Sequence, residues 1–127
     1  MLETLGIGVD LCAVSRMARA IEKEHFFKRV FTENERAYLE NRGKAAGQSA
    51  AAMFAAKEAV AKALGTGFAQ GVMPWQIEVT HETSGKPGIL LTGAAKEKFE
   101  RLGGRKILLS LSHEGDTAIA FAVIGGF

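Results

Sequence analysis

The feature that most constrains how this chain folds is an alanine-rich run at residues 54–67, which reads FAAKEAVAKALGTG. The run contains no proline and alanine is the best helix former, so it predicts a helix; the closing Gly-Thr-Gly predicts its end. At about 100° per residue, Glu58, Lys62 and Gly65 lie on one stripe, while Lys57 lies on a neighbouring face. Small side chains let another element approach closely, so we expect this helix to be packed and not solvated.

The spacing of Glu58 and Lys62 has an ordinary interpretation and a functional one. A glutamate followed four residues later by a lysine is often a surface ion pair worth roughly 0.2–0.5 kcal/mol. This pair, however, lies among alanines and leads directly into a glycine loop, which is unusual for a solvated face. The loop is not a P-loop, because it follows the helix instead of preceding it, and by itself Gly65-Thr66-Gly67 indicates only a helix end.

The beginning of the chain contains a carboxylate in an apolar setting. Residues 4–11 read TLGIGVDL, which predicts a strand, and the two glycines predict close approach of another backbone or a β-bulge. Asp10 interrupts this run, and a carboxylate among apolar residues has to be paired, cap a helix or bind a metal. Ser15 competes for the capping role, so the residues alone leave these possibilities open.

The remaining elements are predicted from periodicity, capping residues and turn residues. They are helices over residues 15–24, from Thr32 to about Arg42 and over 92–102, and strands over 75–80, 89–91, 106–113 and 117–124, with the alanine-rich helix beginning near Gln48 or Ser49. Thr32-Glu33-Asn34-Glu35 predicts a capping box at the start of the second helix, and strands 106–113 and 117–124 are predicted to pair as a hairpin across Glu114-Gly115-Asp116. The helices group in the first half of the chain and an antiparallel sheet comes mostly from the second. We therefore predict a single α+β domain over residues 1–127, with helices packed on an antiparallel sheet.

Composition excludes several classes of protein. With 47% hydrophobic and 24% charged residues, the chain has the balance of a globular protein, and its apolar runs are shorter than the roughly 20 residues that span a membrane. Glu3 and Asp10 interrupt any secretory signal pattern. The single cysteine, Cys12, excludes an internal disulfide and indicates a reducing compartment. We expect a cytoplasmic protein without a membrane segment.

The charge of the chain is small but uneven. A net charge of +2 without a basic-aromatic motif argues against nucleic-acid binding, including a small RNA-binding domain. Residues 15–31 are nevertheless clearly basic, which indicates an acidic partner. Arg16, Arg19 and Lys23 recur at intervals of three and four, so on one helix they form a positive stripe. The alternative is a solvated helix face.

Several motifs together resemble the phosphopantetheinyl transferases, specifically the holo-[acyl-carrier-protein] synthase family. Residues 54–67 match the signature helix of that family, and Gly6-Ile7-Gly8-Val9-Asp10-Leu11 is similar to its opening Gly-x-Gly-x-Asp-Ile/Leu. Phe31-Thr32 with Glu35, Gly85-Lys86-Pro87 and Ser110-Leu111-Ser112-His113 also fit, so the resemblance covers nearly the whole chain.

The resemblance implies a reaction and roles for three catalytic residues. In this family a serine of apo-acyl-carrier protein attacks coenzyme A, receives 4′-phosphopantetheine and releases adenosine 3′,5′-bisphosphate, in support of fatty acid biosynthesis. Asp10 and Glu58 correspond to the Mg²⁺ ligands, which suits the preference of Mg²⁺ for oxygen. Lys62 would neutralise charge on the leaving phosphate, and Glu58, directly or through a metal-bound water, is the candidate acceptor of the serine proton.

The resemblance also implies residues that bind coenzyme A. The negative end of the helix dipole would repel phosphate, so lysines would have to supply the countercharge, with N–H groups of the glycine loop as an anion nest. Lys86 and His113 would lie near the adenosine 3′-phosphate. The alternative is that neither binds a ligand, and that Lys86 is simply a lysine in a turn and His113 a histidine at the end of a strand. The full predicted set for coenzyme A is Lys57, Lys62, Gly65, Thr66, Gly67, Lys86, Pro87 and His113.

The family further implies two kinds of protein contact. Its members are homotrimers with active sites shared between subunits, and the apolar residues on both faces of strand 117–124 agree with such an assembly. Their carrier-protein partners are acidic, and Arg16 matches a basic position of the family, so the Arg16, Arg19 and Lys23 stripe is the predicted docking surface.

Two positions depart from the family pattern. Many members carry arginine where this chain has Met53, and glutamate where it has Ala13. If that arginine contacts coenzyme A, the affinity for coenzyme A should be lower here, or another group should supply the contact. A non-catalytic module that binds coenzyme A or a nucleotide is the alternative function. The presence of Asp10, Glu58 and Lys62 favours the enzyme.

Overall fold

A computed structural model describes residues 3–126 of the chain. The strands are β1 (Glu3–Ala13), β2 (Ile77–His81), β3 (Pro87–Leu91), β4 (Gly104–Glu114) and β5 (Thr117–Gly126), and the helices are α1 (Val14–Ala20), α2 (Glu24–Val30), α3 (Glu33–Glu40), α4 (Ala46–Ala63) and α5 (Gly93–Arg101). Short 3₁₀ turns at Gly43–Ala45 and Pro74–Gln76 precede α4 and β2. No helix within residues 3–126 is long and apolar enough to cross a membrane.

Two antiparallel sheets form the β part of the α+β fold. The larger has three strands in the order β1-β5-β4, and the smaller is the hairpin of β2 and β3. The predicted hairpin of β4 and β5 is confirmed, with Ser110 opposite Phe121. The first strand of the chain completes this sheet by pairing with β5, where Asp10 lies opposite Ala120.

Helix α4 packs against the inner face of the large sheet, and the two backbones nearly touch. Gly6 and Gly8 of β1 face α4, and a Cβ atom added to them would lie 2.0 Å from the carbonyl oxygen of Ala63 and 1.9 Å from that of Ala59. Only glycine permits this approach, so the predicted close contact at the two glycines is confirmed. The inward residues of β5 are correspondingly small, namely Ala118, Ala120 and Ala122.

The outer face of the large sheet is apolar and uncovered by this chain. Its exposed side chains are Ile7, Val9, Leu11, Leu108 and Phe121. Helices of the same chain cover only the opposite face, where the small residues of β5 are buried. The prediction that strand 117–124 is apolar on both faces is therefore confirmed.

The prediction of one helix over residues 15–24 is wrong in its second half. Helix α1 ends at Ala20, and Lys23 has an extended backbone (φ −87°, ψ 112°) at the start of α2. The break turns the chain so that Phe26 and Phe27 of α2 pack against the core. Lys23 therefore does not lie on the helix that carries Arg16 and Arg19.

The capping box predicted for α3 is confirmed. The N–H of Glu35 donates to the Thr32 hydroxyl at 3.2 Å, and the Thr32 N–H donates to the Glu35 carboxylate at 2.8 Å. Other boundaries also differ from the predictions: α4 begins at Ala46, and β2 begins at Ile77 because residues 74–76 form a 3₁₀ turn.

Candidate active site

Three of the predicted residues meet where β1 crosses α4. Asp10 lies on the face of β1 that is directed toward α4, and Glu58 and Lys62 lie one helical turn apart on that helix. The Lys62 ammonium donates to Asp10 Oδ1 at 3.0 Å and to the carbonyl of Val9, also at 3.0 Å. The Asp10 side chain is 18% exposed and that of Lys62 48%, so the cluster is recessed yet reachable from solvent.

The electrostatics of this cluster leave room for a cation. Burial raises the pKa of the Glu58 carboxyl, the charge of Asp10 raises it further, and the Lys62 ammonium opposes both effects. Two carboxylates that repel each other and share one ammonium gain from an additional positive charge between them. Of the three possibilities for Asp10, pairing and metal binding both agree with this arrangement.

The donor set suits Mg²⁺ better than a metal enclosed entirely by protein. Residues 3–126 contain no group of three or more His, Cys, Asp or Glu side chains that could hold a metal. Mg²⁺ is commonly bound by one or two carboxylates, with water and substrate phosphate filling the other positions. Asp10 and Glu58 fit that pattern, and both offer hard oxygen ligands.

The cluster opens onto the uncovered face of the sheet. A shallow cleft of about 350 Å³ is lined by Val9, Asp10, Leu11, Lys62 and Ile119. Its polar wall is therefore continuous with the apolar outer face of β1 and β5. A molecule bound over Asp10 and Lys62 would also contact that face.

The glycine loop after α4 ends the helix and does not form the predicted anion nest. The N–H of Gly65 donates to the carbonyl of Lys62, and those of Thr66 and Gly67 both donate to the carbonyl of Ala61. Gly65 and Gly67 have positive φ angles of 86° and 58°, as expected of a glycine helix end. Because all three N–H groups point back at the helix, they are not available to bind phosphate.

Lys57 is buried in the interior, so the prediction that it balances a phosphate charge is wrong. Its side chain is fully buried, and its ammonium donates to Glu35 Oε1 at 2.7 Å and to the carbonyls of Pro74 and Ile77 at 2.9 and 2.8 Å. These three bonds use every donor that a lysine has. Burial lowers the pKa of the ammonium, and the Glu35 carboxylate opposes that shift.

The predicted residues for the adenosine end lie on other elements. Lys86 is exposed in the turn of the β2–β3 hairpin, where Pro87 pairs with His81, and His113 is exposed near the end of β4. Within residues 3–126, no hydrogen bond or ion pair joins Lys86 or His113 to the cluster of Asp10, Glu58 and Lys62.

Two acidic residues have long-range partners that no sequence pattern indicated. Glu35 anchors Lys57, and its other oxygen accepts the N–H of Val79 at 2.7 Å. Its position in the capping box marked it as a helix-start residue and gave no signal of burial. Asp116 in the turn between β4 and β5 binds Ser15 at the start of α1. A separation of 101 residues hides that contact from any local pattern.

Comparison with known proteins identifies the family of this chain. Residues 6–122 match the family model of the 4′-phosphopantetheinyl transferase superfamily. A holo-[acyl-carrier-protein] synthase from Desulforudis audaxviator is 48% identical over 124 residues, which are 96% of this chain and 93% of that protein.

Solved structures are similar over almost the whole chain. The holo-[acyl-carrier-protein] synthase of Neisseria meningitidis superposes with a TM-score of 0.86 at 35% identity, covering 96% of this chain and 98% of the other. The Bacillus anthracis synthase, solved in complex with CoA (3′,5′-ADP), superposes with a TM-score of 0.81 at 31% identity and 98% coverage of both chains.

Proposed function

The chain belongs to the 4′-phosphopantetheinyl transferase superfamily as a transferase of the holo-[acyl-carrier-protein] synthase type, and on that premise we propose how its residues carry out the transfer. The substrates are coenzyme A and apo-acyl-carrier protein, and we place the reaction in cytoplasmic fatty acid biosynthesis. The observation that carries the mechanism is the convergence of Asp10, Glu58 and Lys62 at the crossing of β1 and α4.

The bond changes assign a separate task to each residue of the cluster. The serine oxygen of the carrier protein forms a bond to the phosphorus on the pantetheine side of the pyrophosphate, and the bond from that phosphorus to the bridging oxygen breaks. Negative charge then develops on the departing adenosine 3′,5′-bisphosphate, next to the position of the Lys62 ammonium. Lys62 stabilises this charge, an electrostatic contribution that is commonly large in phosphoryl transfer.

We assign the proton of the attacking serine to Glu58. Burial and the charge of Asp10 both raise the pKa of its carboxyl, and the Lys62 ammonium opposes both effects. Asp10, bonded to Lys62, holds that ammonium over the cleft. Asp10 and Glu58 would together hold Mg²⁺, which when bound would neutralise charge on the pyrophosphate oxygens.

The adenosine end of coenzyme A requires groups outside this cluster. Lys86 and His113 are exposed and carry nitrogen donors, so we keep them, with Pro87, as contacts of this end. The Thr66 hydroxyl donates to the Gly67 carbonyl at 2.7 Å, so we keep it as a hydrogen-bond acceptor only. Gly65 and Gly67 shape the loop that carries Thr66. Lys57 is not part of the site, because its three donors are occupied.

Transfer itself is the test of the proposed function. The chain is incubated with apo-acyl-carrier protein, coenzyme A and Mg²⁺, and the carrier is weighed by mass spectrometry. We expect the mass of one 4′-phosphopantetheine to be added, and no addition when coenzyme A or Mg²⁺ is left out. Binding of coenzyme A by calorimetry without any mass gain would instead indicate the non-catalytic module.

We expect a homotrimer in which the outer face of the large sheet is covered. Val9 and Phe121 lie opposite each other on neighbouring strands and are 48% and 44% exposed, in an apolar surface that borders the Asp10–Lys62 cleft. Sedimentation equilibrium at micromolar concentration should give three times the chain mass of 13.6 kDa. Phe121→Lys should shift the protein toward monomers, whereas Lys96→Ala on α5 should not. A wild-type mass of 13.6 kDa would exclude this assembly.

We expect Arg16→Glu to weaken carrier-protein recognition selectively. Arg16 and Arg19 are exposed on α1, close to the end of the strand that carries Asp10. Reversing the charge of Arg16 places like charges across a contact with an acidic carrier, so KM for the carrier should rise by about tenfold or more while KM for coenzyme A barely changes. Arg101→Glu on α5 makes the same charge change elsewhere and should leave both constants unchanged. Equal loss for both substrates would place Arg16 in the coenzyme A site or in the fold.

A further inference from the structure

Helix α1 has no capping residue in its own sequence. It is seven residues long, its N-cap residue is Ala13, and no side chain of the helix start accepts a bond from the first turn. The cap comes from Asp116: the N–H of Ser15 donates to Oδ1 at 2.9 Å, and the Ser15 hydroxyl donates to Oδ2 at 2.6 Å. The N–H of Val14 also donates to the backbone carbonyl of Asp116, at 2.7 Å.

The position of Asp116 lets it hold the junction between β1 and α1 by hydrogen bonds. It lies in the tight turn between β4 and β5, directly after Gly115, which has a φ of 57°. The next residue, Thr117, pairs with Ala13, the last residue of β1. Since β1 passes into α1 without an intervening loop, the bonds of Asp116 hold the first turn of this short helix, while the contact of Ala18 with Gly47 holds its other side against α4.

The charge of Asp116 suits the same purpose. The hydrogen bonds from the side chain and the backbone of Ser15 hold the pKa of the Asp116 carboxyl below its ordinary value, and the charge of Arg19 adds to that effect. The carboxylate therefore stays ionised at neutral pH, where it also complements the positive end of the helix dipole. No side chain of α1 itself supplies this negative charge.

We propose that Asp116 is a positioning residue for carrier-protein recognition, because it orients the first turn of α1 and thereby Arg16 relative to Asp10. The inference rests on the proposed docking role of α1. Arg16 is the residue directly after Ser15, so a change in the bonds of Ser15 reorients Arg16 first. Asp10 lies on β1, three residues before the junction with α1.

The test compares three variants of the full chain in steady-state assays with apo-carrier protein and coenzyme A. Asp116→Ala should raise KM for the carrier about fivefold, while kcat and KM for coenzyme A stay unchanged. A fivefold change corresponds to the roughly 1 kcal/mol that the loss of a helix cap typically costs. Asp116→Asn keeps an acceptor for the Ser15 N–H and should restore most of the wild-type KM. Glu114→Gln removes the same charge from an exposed position in the same hairpin and should not raise KM.

The charge control separates orientation from simple electrostatics. Removing an acidic group near Arg19 makes the surface more positive, which by itself would favour an acidic carrier and lower KM. A rise in KM for Asp116→Ala together with no rise for Glu114→Gln therefore supports orientation. Two results would overturn the proposal. The first is an unchanged KM for the carrier in Asp116→Ala, and the second is a fall in kcat and a rise in KM for coenzyme A that are as large as the rise in KM for the carrier.

Amide hydrogen exchange distinguishes failure of this inference from failure of the docking proposal. The Ser15 amide should exchange faster in Asp116→Ala than in the wild type, whatever α1 binds. If exchange accelerates, but neither Arg16→Glu nor Asp116→Ala changes carrier KM, the docking role of α1 is wrong and this inference falls with it. If Arg16→Glu alone raises carrier KM, docking stands and the positioning role of Asp116 is refuted.

Discussion

Asp10→Ala and Glu58→Ala should each lower the rate of phosphopantetheine transfer by about 100-fold or more, while circular dichroism shows an unchanged fold. Loss of an electrostatic group that acts on the transferring phosphoryl group commonly has an effect of this size. Asp10 holds the Lys62 ammonium at 3.0 Å, so its removal also releases the group that faces the leaving phosphate. Both carboxylates lie outside the apolar core, which should allow the fold to persist.

An exposed glutamate on α5 provides the matched control for these variants. Glu97→Ala removes an exposed carboxylate from α5, a helix that carries none of the proposed catalytic residues. The turnover of this variant should equal that of the wild type. Assays run over a range of Mg²⁺ concentrations separate weaker metal binding from slower chemistry. Near-wild-type turnover of either Asp10→Ala or Glu58→Ala at saturating Mg²⁺ would refute the assignment of that residue.

Lys57→Met should produce the largest loss of stability of any single substitution considered for this chain. The Lys57 ammonium and the Glu35 carboxylate are fully buried and 2.7 Å apart. Removing one partner of such a pair leaves an uncompensated buried charge, which typically costs about 3–5 kcal/mol of the free energy of unfolding. Denaturant unfolding measured by circular dichroism tests this expectation.

The chain contains an exposed ion pair with the same N–O distance, which serves as the control. Lys28 and Glu24 are also 2.7 Å apart, but their side chains are 62% and 77% exposed, so Lys28→Met should leave the unfolding midpoint unchanged. Glu35→Gln combined with Lys57→Met should recover only part of the loss, because Glu35 also accepts the N–H groups of Thr32 and Val79. Equal midpoints for Lys57→Met and the wild type would show that the buried pair does not stabilise the fold.

The parts of the fold that local patterns encode were predictable from the sequence. The alanine-rich helix, the capping box at Thr32 and the hairpin of β4 and β5 all depend on residues within a few positions of one another. Asp10 and Glu58 were conspicuous because a carboxylate in an apolar or alanine-rich setting needs a partner, whereas their assignment as metal ligands came from the family resemblance. Their convergence follows from two local features, the glycines of β1 and the alanines of α4.

Other features depend on tertiary contacts that no local pattern contains. The break between α1 and α2 has neither proline nor glycine, and it is explained by the packing of Phe26 and Phe27. Helical periodicity placed Lys57 on a different face from Glu58, which is correct, but it could not tell that this face meets Glu35 and not solvent. Partners distant in sequence determine both outcomes.

The two glycines of β1 have a consequence for how the activity of this protein can be altered. The carbonyl oxygens of Ala59 and Ala63 lie where the Cβ atoms of any other residue at positions 8 and 6 would be. The spacing between the strand that carries Asp10 and the helix that carries Glu58 is thus fixed by main-chain atoms in contact, and no side chain there can be shortened to narrow it. A residue larger than glycine at either position would widen that spacing and separate the two carboxylates. A variant inactivated in this way would still contain every side chain of the site. Its loss of activity would come from the displaced backbone alone.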